Sequence, residues 1–343
     1  MTSSDVLAAH GIDEAVPFAL PLRRRFRGTE LREGVLLRVG DRWGEWAPFP
    51  EYDDVVGARW LAGALEAARG QWPAARRDSV EVNAIVPALD AAVVTALVQD
   101  AVALDGCGVV KVKVGERGQV FDDDVARVAA VRAALDDFGA REGRIRVDVN
   151  GAWAVEEAAQ RLAVLDDIAE GLEYAEQPCA TLAELAALRE RTSVRIAVDE
   201  GLRLADRVDP ALVAAVRAAA DVLVVKATPM GGVRRALAAA AAVGLPVTVS
   251  GALDSTVGLS AGLALAAALP DEPFDCGLGT GRLLAADTTG ETALPQDGRL
   301  SVVRHEPDPA KLAAARRNVT GERAAWWAAR LERCLALVEE GTA

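Results

Sequence analysis

Lys113, Asp148, Glu176, Asp199 and Lys226 each close a short apolar run, and the gaps between them are 35, 28, 23 and 27 residues. That interval fits one strand plus one helix of a parallel barrel. In such a barrel the residues that close the strands gather at one end, the end where barrel enzymes place their active sites. The repeat therefore delivers two lysines and three carboxylates to a single place.

The wider pattern agrees. Short β-branched runs lie at 80–86, 109–114, 145–149, 171–175, 194–198, 222–225, 246–249 and 274–278. Alanine-rich stretches with helical periodicity separate them. Eight alternations predict an α/β fold, a (β/α)8-type barrel or its (β/α)7β relative. A doubly wound sheet needs a glycine-rich phosphate turn after its first strand, and Val86-Pro87-Ala88-Leu89 is not one.

Residues 1–79 and 285–343 stand outside the alternation. The first segment reads as a few strands, one at 35–39, and a helix at 56–69. The second ends in a helix at 322–339. We expect the two to form one α+β capping domain over a barrel spanning 80–284. Trp326 and Trp327 are expected to anchor that packing, with an exposed interface patch as the other reading.

Composition narrows the chemistry. The chain has 343 residues, 51% of them hydrophobic, enough for a large core. A net charge of −13 opposes binding to nucleic acid or to anionic membrane. The one basic cluster is Arg23, Arg24, Arg25 and Arg27. The cysteines Cys107, Cys179, Cys276 and Cys334 form no CxxC pair. The first residues lack the order of a signal peptide, so a soluble, cytoplasmic protein is expected. Only two histidines exist, His10 and His305. An HExxH zinc site is excluded, and a serine triad would need a distant terminal histidine.

In Val110-Lys111-Val112-Lys113-Val114, alternation puts both lysines on one strand face. Barrel strands are buried on both faces, so Lys111 and Lys113 are expected to point inward, where an ammonium needs a partner. Asp148, Glu176 and Asp199, on consecutive strands, can supply it. Three converging carboxylates repel one another unless a cation neutralises them. Hard oxygen donors suit Mg²⁺ or Mn²⁺ rather than zinc. Asn150 and Glu200 are expected to orient these ligands from outside. Lys226 would face Lys113 across the metal. A divalent ion beside lysine bases suits removal of a proton next to a carboxylate.

The order KxK, Asp, Glu, Asp, Lys on successive strands, with a capping domain, resembles the enolase superfamily. That superfamily combines a Lys or His base with Mg²⁺ to stabilise an enediolate. The lysine pair is similar to the muconate lactonizing enzyme-like subgroup, and the absence of a barrel histidine sets aside the His-Asp branch. Residues 21–28, 250–255 and 277–282 resemble those of a branch that removes water from a hydroxycyclohexadiene carboxylate. N-acylamino acid racemases share the lysines and ligands and are the competing reading. The resemblance implies Lys113 as the base, Lys111 as its support and Lys226 over the opposite face of a small carboxylate substrate. It also implies Ser250, Gly251 and Arg27 as substrate-binding residues. The glycines at 277–281 have a second reading, a phosphate-cradling loop.

Overall fold

In this computed structural model residues 3–26, 28–140, 142–271 and 273–340 are described. Helix α1 (Ser3–Ala9) leads into an antiparallel sheet of β1 (Glu14–Phe26), β2 (Thr29–Val39) and β3 (Arg42–Trp46). Val16, Phe18 and Leu20 alternate inward along β1 and are buried. The ladder with β2 breaks between Pro21 and Phe26, and Leu22 bridges instead to Leu284. Helix α2 (Asp54–Arg69) follows. The Asp53 side chain accepts from Val56 N at its start, and Gly70 closes it at φ 69°.

The alternation then begins. Strands β4 (Ser79–Glu81) and β5 (Ala84–Val86) precede α3 (Ala91–Ala103). Next come β6 (Val109–Lys113), α4 (Phe121–Asp137), β7 (Arg144–Asp148), α5 (Val155–Ile168), β8 (Leu172–Glu176) and α6 (Leu182–Arg189). After these lie β9 (Ile196–Val198), α7 (Glu200–Arg203), α8 (Pro210–Ala219), β10 (Val222–Val225), α9 (Val233–Val243), β11 (Val247–Val249) and α10 (Thr256–Ala268). The chain ends with β12 (Arg299–Ser301), α11 (Pro309–Arg317) and α12 (Gly321–Glu339).

Strands β5 to β11 form one parallel sheet in sequence order. The eighth position is occupied by the chain at Cys276 and Gly277. Cys276 makes a parallel bridge to Val82 and Gly277 one to Ser250, which closes the barrel. Only a short 3₁₀ turn, Gly281–Leu283, follows this strand. The barrel is thus of the (β/α)7β kind.

Two expectations need correction. The run at 274–278 yields bridges rather than a full strand. Its seam is tight: a Cβ at Gly277 would lie 2.7 Å from Ser250 Oγ, and one at Gly279 2.6 Å from the Asn83 carbonyl. Close packing accounts for these glycines without a phosphate. The run at 80–86 splits in two, and its first half pairs antiparallel with β12. Between the halves sits Asn83, fully buried, donating to Ala84 O at 2.8 Å and accepting from Arg146 at 2.9 Å.

N-terminal and C-terminal elements pack on each other. Helix α12 lies on α2, and Trp327 is fully buried, edge-on to Trp46 at 5.4 Å between ring centroids. Trp326 stacks edge-on to Trp327, half-buried under Arg323 and Arg330. Arg32 of β2 crosses to the barrel, donating to Leu253 O at 2.9 Å and to Ala47 O. Among the described residues, no helix is long and apolar enough to cross a membrane, and the four cysteines are buried and form no disulfide.

Candidate active site

Strand register builds the site. Lys113 lies beside Asp148 across β6 and β7, and Asp148 beside Glu176 across β7 and β8. Asp199 follows β9 directly, and Lys226 follows β10. All five residues of the repeat stand at the carboxyl ends of the barrel strands.

The side chains converge. Lys111, which is buried, donates to Glu176 Oε2 at 2.8 Å and lies 3.3 Å from Asp148 Oδ2. Lys113 Nζ donates to Asp148 Oδ2 at 2.5 Å and to Asn150 Oδ1 at 2.6 Å. Lys226 Nζ donates to Asp199 Oδ2 at 2.6 Å. Asn150, at φ 51°, turns its amide so that Nδ2 donates to Glu200 Oε1 at 3.2 Å.

Charge and burial set the protonation. Burial pushes the Lys113 ammonium below its usual range, with Asp148 opposing and Lys111 assisting. Burial would lower Lys111 as well, but the Glu176 and Asp148 charges outweigh it and raise that group. Burial would raise Asp148, and the two lysines instead hold it well below the usual carboxylate range. Asp199 is held down against burial by Arg203 and Lys226. Glu176 moves up to about 7, first through burial and then through the charge of Asp148.

Among the described residues, no three acidic, histidine or cysteine side chains are disposed as a ready-made metal cage. Each carboxylate is held by a lysine instead. The donor set nevertheless suits a hard cation. Three buried carboxylates sit at adjacent strand ends, and Glu176 Oε1 is buried with no hydrogen-bond partner. Asp148, Glu176 and Asp199 are the residues that could hold it.

Phe26 and Phe49 of the cap cover the lysines, and Ser250, Gly251 and Leu253 line the far wall of a cleft of about 30 Å³. A neighbouring cavity of about 380 Å³ shares Phe26, Lys113 and Asn150 with it. Arg27 lies outside the described residues. A larger cavity, about 670 Å³, opens at the opposite end of the barrel, lined by Glu81, Arg144 and Asp275. It contains none of the lysine–carboxylate set, so the smaller cleft is the site that chemistry favours.

Sequence reasoning missed two buried residues. Gln177 accepts from Asp199 N at 3.0 Å and from Gly201 N at 3.2 Å, fixing the turn that carries Asp199. Arg203 donates to Asp199 Oδ1 at 2.8 Å and to Glu200 Oε1 at 3.0 Å. Its position four residues after Asp199 was the available signal, since residues four apart meet on a helix.

Residues 93–309 match the enolase C-terminal domain-like family and residues 17–68 the enolase N-terminal domain-like family. The chain is 50% identical over 316 residues to o-succinylbenzoate synthase of Thermobifida fusca (strain YX), covering 90% of this chain and 96% of that one. The chain belongs to the o-succinylbenzoate synthase family. The Mycobacterium leprae (strain TN) member of that family is 47% identical, over 95% of this chain and 93% of that protein. Muconate lactonizing enzyme from Pseudomonas fluorescens superposes with a TM-score of 0.74 at 23% identity, covering 89% of this chain and 99% of that one. That likeness shows the fold which the o-succinylbenzoate synthase family shares with the wider enolase superfamily, whose enzymes generally use a divalent metal.

Proposed function

We propose that this chain is a Mg²⁺-dependent hydro-lyase. It converts 2-succinyl-6-hydroxy-2,4-cyclohexadiene-1-carboxylate to 2-succinylbenzoate, a step towards menaquinone. The observation that carries the reading is the 50% identity over 90% of the chain to the o-succinylbenzoate synthase of Thermobifida fusca. The buried lysine–carboxylate set supplies chemistry that suits it.

Asp148, Glu176 and Asp199 would hold the metal. A divalent ion there supplies positive charge opposite the negative charge that builds on the substrate carboxylate as the neighbouring proton leaves. Lys113, whose burial favours the neutral amine, takes that proton at Nζ. The electron pair of the broken C–H bond moves onto the substrate carboxylate. It becomes the new ring π bond as the C–O bond to the hydroxyl breaks, and Lys113 returns its proton to that hydroxyl on the same face, so that water departs. Lys111, tied to Glu176 and Asp148, keeps a positive charge beside Lys113 and favours its neutral form. Lys226 stands four strands away, where its ammonium stabilises the anionic ring from the opposite face. Asn150 and Glu200 orient the lysine and the ligands. Ser250 and Gly251, with Arg27, bind the succinyl end. Residues 1–79 and 285–343 form the cap that excludes water from the barrel at 80–284.

The opposed lysines also suit a second reading, racemisation of N-acyl amino acids by two bases. The test is direct. The purified protein with Mg²⁺ should consume the cyclohexadiene substrate and release 2-succinylbenzoate. Absence of product, with deuterium exchange at the α-carbon of N-acyl amino acids, would establish the second reading instead.

A further inference from the structure

Arg203 occupies an unusual place among the charged groups. It is 3% exposed, on a helix of a single turn, yet all its contacts lead to the site or to the cap. Nε donates to Asp199 Oδ1, which leaves Asp199 Oδ2 as the oxygen facing Lys226. Nη2 donates to Glu200 Oε1, the same atom that accepts from Asn150. The contacts therefore form one continuous arc: Lys113, Asn150, Glu200, Arg203, Asp199, Lys226. The arc joins the two lysines around the outside of the carboxylates.

The outer side of Arg203 belongs to the cap. Nη1 donates to the Tyr52 hydroxyl at 3.4 Å, just before α2, and Arg59 Nη1 of α2 donates to the Arg203 backbone carbonyl at 2.9 Å. Arg59 is itself 3% exposed. A bare ion pair with Asp199 would need neither contact. A guanidinium has a fixed fork of donors, so a tether on one side sets the direction of the others.

We propose that Arg203 is a positioning residue that transmits the docking of the cap to the ligand geometry of Asp199. With the cap seated, Tyr52 and Arg59 hold the arginine, the arginine orients Asp199 Oδ1, and Oδ2 is presented to the metal. The inference rests on the reading that Asp148, Glu176 and Asp199 hold a divalent ion. It adds that the cap takes part in building that site as well as covering it.

The experiment is Mn²⁺ titration followed by the electron paramagnetic resonance signal of the free ion. It compares the full-length protein with Arg203→Met, Arg203→Lys and Tyr52→Phe, alongside unfolding curves in EDTA. Outer partners of ligands are worth 10–100-fold in metal affinity. Arg203→Met should weaken Mn²⁺ binding by about that factor. Arg203→Lys keeps the buried charge without the fork and should recover only part of it. Tyr52→Phe removes only the cap's hydroxyl and should weaken binding by about threefold, roughly one lost hydrogen bond, with little change in unfolding. Folded Arg203→Met with wild-type affinity overturns the proposal. If Arg203→Met does not fold, the other two variants decide: wild-type affinity in both overturns it. Wild-type protein that binds no Mn²⁺ contradicts the metal-site reading itself, a separate result.

Discussion

Lys113 and Lys226 stand four strands apart, each bound to a different aspartate: Lys113 to Asp148 at 2.5 Å and Lys226 to Asp199 at 2.6 Å. They therefore address the cleft from opposed directions. In a one-base dehydration only Lys113 moves a proton, and Lys226 contributes electrostatic help worth up to ~2 kcal/mol. Lys226→Ala should then lower kcat by about thirtyfold or less. In a two-base racemisation the same substitution should remove nearly all turnover. Steady-state rates of both reactions in this one variant separate the two mechanisms.

Metal dependence is the second prediction. EDTA should abolish dehydration, and Mg²⁺ should restore it. Glu176→Gln removes one buried carboxylate of the three and should raise the Mg²⁺ concentration for half-maximal activity by at least ~10–100-fold, the range seen for outer partners alone. Full activity in EDTA would contradict the ligand assignment.

A third prediction concerns pH and the joint between cap and barrel. Glu45 of β3 is buried against the first residues of α10, where it accepts from Ser255 N at 3.1 Å and from the Ser255 hydroxyl. Burial, and next the charge of Asp254, raise its carboxyl to about 7 from 4.5. The folded form thus holds a proton that the unfolded chain has released. Its contribution to stability is complete below pH 4.5 and is lost as pH rises through 7. The expected loss is on the order of 2–3 kcal/mol. Urea unfolding at pH 5 and pH 8 should show a steeper decline for wild type than for Glu45→Gln. Parallel declines would rule this out.

Trp327 gives the fourth. It is fully buried between α12, α2 and Trp46. Trp327→Ala should cost about 3–5 kcal/mol of stability, the usual range for a large core side chain. Calorimetry should report the loss as a lowered midpoint, and an unchanged midpoint would show that α12 does not anchor the cap.

Period and strand-end chemistry make the barrel legible in the sequence. A β-branched run followed by an alanine-rich stretch is a local signal, and seven of the eight predicted runs contain a strand of the closed sheet. The failures were non-local. Nothing in the run at 80–86 announces that Asn83 will bond Arg146, 63 residues away, and divide the strand. Nor does the run at 274–278 reveal how closely Ser250 approaches Gly277. The same holds at the site. Lys113, Asp148 and Glu176 could be placed together because register follows from strand order. Arg203 was missed because one of its partners, Tyr52, lies 151 residues earlier in the chain. The left-handed Asn150 was singled out as an outer partner that orients the ligands, while the backbone conformation that aims it became visible only in the fold.

The most direct measurement is a single-turnover comparison of wild-type protein and Lys113→Ala, with Mg²⁺ and 2-succinyl-6-hydroxy-2,4-cyclohexadiene-1-carboxylate, following formation of 2-succinylbenzoate. A positioned general base contributes about 10²–10⁴-fold. Wild type should convert the substrate, and Lys113→Ala should lose activity within or beyond that range while still binding 2-succinylbenzoate. Turnover by Lys113→Ala within tenfold of wild type, or no dehydration by wild type at all, would contradict it.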